Sequence, residues 1–186
     1  MEFLSTLWLP ILVSAIVVFI LSALAWTVLP HHKKEWQPLP NEDAVLNAMA
    51  GSPPAPGQYA LPYYADPKER DNPALKAKLQ RGPVGFLTVV PNGAPGMGPM
   101  MGKAFVFNLI VSFLVAYVAW HALAGREITY LAVFRIVGAV ASMSYVLATV
   151  PESIWFGRPW RSMALGAVDG LVYGLFTAGV FGWLWP

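Results

Sequence analysis

The chain has 186 residues, 56% of them hydrophobic and 12% charged, with a net charge of +2 and a mean hydropathy of +0.53. Soluble domains carry about twice that charge fraction, and so small a positive charge does not argue for nucleic acid. Cysteine is absent, which excludes disulfides, thiolate metal sites and cysteine nucleophiles.

The charges are unevenly placed. Residues 31–103 hold eight of the twelve Lys/Arg and six of the ten Asp/Glu. The chain therefore reads as an all-α membrane protein: a four-helix transmembrane bundle with one small, mixed, loop-rich insert. Its expected parts are a first transmembrane helix within 1–30, the extramembrane insert 31–103, and three further helices within 104–186.

The first apolar run, residues 7–29, exceeds the roughly 20 residues that a helix needs to cross a bilayer. Its leading stretch MEFLST has no positive charge, so it reads as a retained helix and not as a cleaved leader. The insert follows with HHKKEW. His31, His32 and Glu35 are metal-ligand types, but adjacent histidines do not share one helix face. They read as solvated interfacial residues beside Lys33 and Lys34.

Further along the insert, Asn41 is placed to N-cap a short helix, EDAVLNAMA, that Gly51 ends. SPPAPG must be loop, because its prolines lack backbone donors. QYALPYY and VGFLTVV are β-type runs, with one or two helical turns in DPKERDNPALKAKLQRG between them. PNGAPGMGPMMGK reads as turn-rich. It fails as a phosphate loop, since no glycine stands five residues before Gly102 and Ala104 replaces the required Ser/Thr. Met97, Met100 and Met101 suggest soft Cu(I) ligation, yet no histidine is near and flexible packing explains them. An insert so rich in proline and glycine makes a thin cap, not a catalytic domain with its own large core.

The second span, 104–124, carries Asn108, Ser112, Ala116 and Ala119 on one stripe. The third, 129–150, places Arg135 with Gly138, Ala139 and Ser142, so the arginine is expected on the face where helices approach. The fourth, 164–185, repeats Gly166, Gly170, Gly174, Ala178 and Gly182 at every fourth residue, a ridge for close helix packing, and Asp169 adjoins it. Trp8, Trp26, Trp120, Trp183 and Trp185 fall at helix ends, as interfacial tryptophans do. Lys33, Lys34, Lys103, Arg158 and Arg161 flank one side of the spans and only Arg126 the other. The expected topology thus has a cytoplasmic insert and both termini external, in a bacterial inner membrane.

Depth separates the two intramembrane charges. Arg135 lies roughly 9 Å below one face and Asp169 roughly 7–8 Å above the other at 1.5 Å per residue. In a core about 30 Å thick, on the order of 13 Å remains between them. Two polar layers are expected instead. The outer joins Arg135 to His121, Thr177 or the terminal carboxylate of Pro186. The inner joins Asp169 to Asn108, Tyr145 and Arg158 or Arg161. His121 as a haem or chlorophyll ligand is a weak option resting on a lone histidine, and no cofactor is expected.

PESIWFGRPWRS before the glycine-rich fourth helix, together with LAWTVLPHHKKEW and GPVGFLTV, resembles a bacterial family of small four-helix membrane proteins. It is distantly similar to a wider four-helix membrane family of unknown function, which lacks so long an insert. The resemblance covers most of the chain. It implies a four-helix fold and supplies no activity, cofactor or catalytic residue.

No Ser-His-Asp set, HExxH or paired catalytic carboxylates can be assembled. The leading expectation is a non-catalytic accessory or stabilising subunit packed against a larger membrane complex, with lipids and other membrane subunits as partners. The alternative is a small transporter or ion-conducting oligomer using Arg135 and Asp169. A membrane enzyme holding a head group through Asp169 and the arginine-rich loop ranks third.

Overall fold

The computed structural model describes residues 2–93 and 96–186. Its helical part contains α1 (Glu2–Thr27), α4 (Met97–Leu123), α5 (Tyr130–Val146) and α7 (Trp160–Leu184), with the short α6 (Val150–Trp155) continuing α5 past a 3-10 turn at Leu147–Thr149. Among the described residues, four helices are long and apolar enough to cross a membrane: Glu2–Thr27, Met97–Leu123, Tyr130–Trp155 and Trp160–Leu184.

These ends differ from the sequence expectation for local reasons. Gly96 supplies an extended residue from which α4 starts, and Pro99 falls in its first turn, where a missing N–H costs nothing. Residues 97–103 are therefore helical, not turn. Pro151 cannot donate to the carbonyl of Leu147, and the chain tightens to 3-10 geometry just before it. Ala94 and Pro95 of the predicted turn-rich stretch lie outside the described residues.

The four long helices form a ring in which α1 packs on α4 and α7, and α5 packs on α4 and α7. Leu7, Val115, Val133, Val137 and Phe181 are fully buried at its centre. Small residues let the axes approach. On the α1–α4 contact the hydroxyls of Ser14 and Ser112 lie 3.0 Å apart, both buried. On the α5–α7 contact, a Cβ on Gly174 would stand 2.9 Å from the Ser142 nitrogen and 3.0 Å from its Cα. A Cβ on Gly170 would meet Val146 and Tyr145, and one on Gly182 would enter the Tyr130 ring, whereas Gly166 faces open space. The loop between α4 and α5 turns at Gly125 (φ +71°), and Thr129 caps α5 by accepting from the Ala132 N–H.

Residues 31–35 and 96–103, expected in the insert, belong to the helical unit, while 154–157 group with the remaining insert residues. That second unit contains α2 (Glu42–Ala50), α3 (Pro73–Arg81), and the strands β1 (Gly57–Leu61) and β2 (Gly85–Val89). The strands pair antiparallel with Tyr59 opposite Leu87. Asn41 precedes α2 in the left-handed region (φ 61°) and its side chain makes no cap, contrary to expectation. Asn72 does cap α3, accepting from the Ala74 N–H. Phe86 packs edge-on against Phe156, and Leu75 is buried.

Candidate functional site

The densest polar cluster among the described residues sits where α1 ends. Pro30 cannot donate a backbone hydrogen bond, and the residue before a proline avoids helical geometry. Leu29 accordingly turns extended, and Pro30–His32 form a 3-10 turn closed by the Lys33 N–H on the Pro30 carbonyl. The next turn closes with Glu35 N–H on the His32 carbonyl at 3.0 Å. This compact exit brings His31, His32 and Glu35 together beside α7.

Asp169, at the tenth position of α7, meets both imidazoles at Nε2. His31 Nε2 lies 3.1 Å from its Oδ1 and 3.3 Å from its Oδ2. His32 Nε2 lies 2.7 Å from Oδ2. The other nitrogen of His32, Nδ1, is hydrogen-bonded to Glu35. Trp26 stacks on the His32 ring at 4.0 Å between centroids, with the planes 2° apart. The His32, Glu35 and Asp169 side chains retain only 4%, 6% and 14% of their exposure, and His31 27%.

His32 is thus held on both edges and one face. Burial alone would lower its pKa, but the hydrogen bonds and charges of Asp169 and Glu35 outweigh that and raise it above the ordinary imidazole value. No Lys or Arg pairs with either carboxylate among the described residues; the one other ion pair is Lys76–Asp71 in the insert.

The expected inner layer is therefore corrected. Asp169 meets two histidines, not Asn108, Tyr145, Arg158 or Arg161. Asn108 is buried on α4, Arg161 is exposed, and the buried hydroxyls of Tyr145 and Tyr173 have no hydrogen-bond partner among the described residues. The rule that adjacent histidines diverge holds for a helix face. It fails here because a ring nitrogen stands several bonds from its backbone, and the target lies between two side chains leaving a tight turn. The available signal was Pro30, which ends the first helix and turns the chain tightly at the two histidines.

The expected outer layer is also not assembled. Arg135 is exposed on the outside of the helical unit and makes no ion pair among the described residues. The buried side of α5 is centred on Val133, Val137 and Ala141. At 100° per residue, Arg135 stands two positions, or about 200°, from each of the first two. His121 is exposed and its Nδ1 contacts the Tyr117 carbonyl of its own helix, while Thr177 donates to the Tyr173 carbonyl. Arg158 is half-buried, and Met97, Met100 and Met101 are exposed on the first turns of α4.

No protein-family model, curated protein or solved structure matches this chain.

Proposed function

We propose that this chain is a non-catalytic integral membrane protein that packs as an accessory or stabilising subunit against a larger complex. Its four long helices span a bacterial inner membrane, with the insert cytoplasmic and both termini external, an orientation that the Lys/Arg count supports. The observation that carries the subunit reading is Arg135: five residues inside α5, exposed on the exterior, with no anionic partner among the described residues. A lone arginine costs roughly 2.5–3.5 kcal/mol at mid-bilayer, and less near an end, where the side chain snorkels. An acceptor on a neighbouring subunit removes that cost. The same helix pair, α5 and α7, forms an open apolar groove lined by Tyr130, Phe134, Leu175, Phe176, Val180 and Trp183, which suits a helix from a partner.

The test is mild-detergent purification from the native membrane, comparing wild type with Arg135→Gln and Arg135→Leu. The wild type should co-migrate with other membrane proteins. Gln keeps donors and should retain part of the association. Leu strands the partner's acceptor, at about 1–3 kcal/mol, and should release the subunit. A wild-type chain that migrates alone, or association unchanged in the Leu variant, refutes the reading.

A second reading, a small transporter or ion-conducting oligomer, draws support from Asp169, a membrane-depth carboxylate joined to titratable imidazoles. Membrane-potential-dependent flux from the purified protein, abolished by Asp169→Asn with assembly intact, would put it in place of the subunit.

A further inference from the structure

We infer that His31, His32 and Asp169 bind a first-row divalent transition metal of borderline softness, with Glu35 orienting His32. The three residues each offer a ligand atom, and these atoms lie within 4.8 Å of one another. Two imidazole nitrogens and a carboxylate are the donor set that zinc, iron(II), cobalt(II) and nickel(II) favour.

The hydrogen-bond inventory points the same way. A neutral imidazole has one N–H to give. His32 faces a carboxylate at each nitrogen, Glu35 at Nδ1 and Asp169 at Nε2. If Nδ1–H of a neutral ring goes to Glu35, the Nε2 lone pair faces the Asp169 oxygen, a gap that a second ring proton or a metal cation fills. A divalent metal satisfies every group with both imidazoles neutral. It also balances the two carboxylates, so the site carries no net charge. Without a metal, the same balance takes two protons shared among the two rings and the two carboxyl groups.

The two edges to Asp169 need under an ångström of movement. Metal–ligand bonds of about 2.0–2.2 Å in tetrahedral array place neighbouring donors about 3.3–3.5 Å apart. The His31–Asp169 edge, at 3.1 to 3.3 Å, is already close to that. The His32–Asp169 edge, at 2.7 Å, has to open by about 0.6–0.8 Å. Glu35 on Nδ1 is the outer carboxylate that fixes a ligating histidine's tautomer and raises its basicity. The Trp26 ring against His32 shields one ring face. Three protein donors leave a coordination position for water or an exchanging ligand.

The experiment uses the full chain in detergent, stripped with chelator and titrated separately with Co2+ and Zn2+. Metal content after gel filtration and the visible bands of low-symmetry Co2+ are the readouts. Wild type should retain one equivalent and show these bands. Asp169→Asn and His32→Gln should each lose at least about 100-fold in affinity, and Glu35→Gln about 10–100-fold. His121→Ala, remote in sequence and bonded only to its own helix, should bind as wild type does. Absence of stoichiometric metal in wild type overturns the inference, as does wild-type affinity in the Asp169 and His32 variants, or loss of binding in the His121 variant. Should the site variants fail to fold, the wild type still decides: Zn2+ must raise its thermal midpoint in a concentration-dependent way, and no shift overturns the inference.

Discussion

Replacing Gly174 with alanine, and separately Gly166, tests whether the α5–α7 contact is set by backbone approach. Both glycines lie on α7, and alanine at either gains up to about 1 kcal/mol of helix propensity. Their surroundings differ. The new methyl at position 174 would lie 2.9 Å from the Ser142 nitrogen and 3.0 Å from its Cα, backbone atoms that no rotamer change can move. At position 166 no described atom beyond the adjacent helix backbone and chain neighbours lies within 4 Å. Overpacking of a close contact costs about 1–3 kcal/mol. Subtracting the two variants cancels the propensity gain, so Gly174→Ala should be less stable than Gly166→Ala by about 1–3 kcal/mol. Equilibrium unfolding in mixed micelles with graded sodium dodecyl sulfate, followed by circular dichroism, reads this difference. Equal midpoints for the two variants would refute the close approach of α7 to Ser142.

Ser112→Ala removes one of two buried hydroxyls joining α1 to α4 and should cost about 0.5–1 kcal/mol in the same assay; no change would mean that the pair carries no net energy. In chelator, the raised pKa of His32 means that its charged form stabilises the fold. That stability is fully present below the ordinary imidazole value of about 6.5 and is lost as pH rises through the raised value. The margin of wild type over His32→Gln should therefore shrink as pH rises from about 6 to about 9, and a growing margin would reverse the sign. For topology, cysteine at Ser52 should resist an impermeant reagent in intact cells while cysteine at Glu127 reacts. Glu127 is preferred to its neighbour Gly125, whose φ of +71° would strain a side chain. Labelling at Ser52 alone inverts the proposed orientation.

The four long helices were legible in the sequence because a long apolar run with few charges has few other ways to satisfy its backbone. Their ends were less so: α4 starts at Met97, not at residue 104, because Gly96 and Pro99 form a helix start in a stretch whose composition reads as turn. Helical spacing likewise marked Asn108, Ser112, Ala116 and Ala119 as one stripe, and all four are buried. Which polar groups meet was a different matter. Periodicity locates a residue around its own helix, but a pairing also depends on the neighbouring helix, its rotation and the side chain's reach. Arg135 shared a nominal stripe with Gly138 and Ser142, yet only the packing of α5 on α4 and α7 decided that the guanidinium faces outward. Asp169 was recognisable from sequence alone as a carboxylate inside a long apolar run. Its partners were settled by the 3-10 turn at Pro30, which directs His31 and His32 onto α7 at the height where Asp169 emerges.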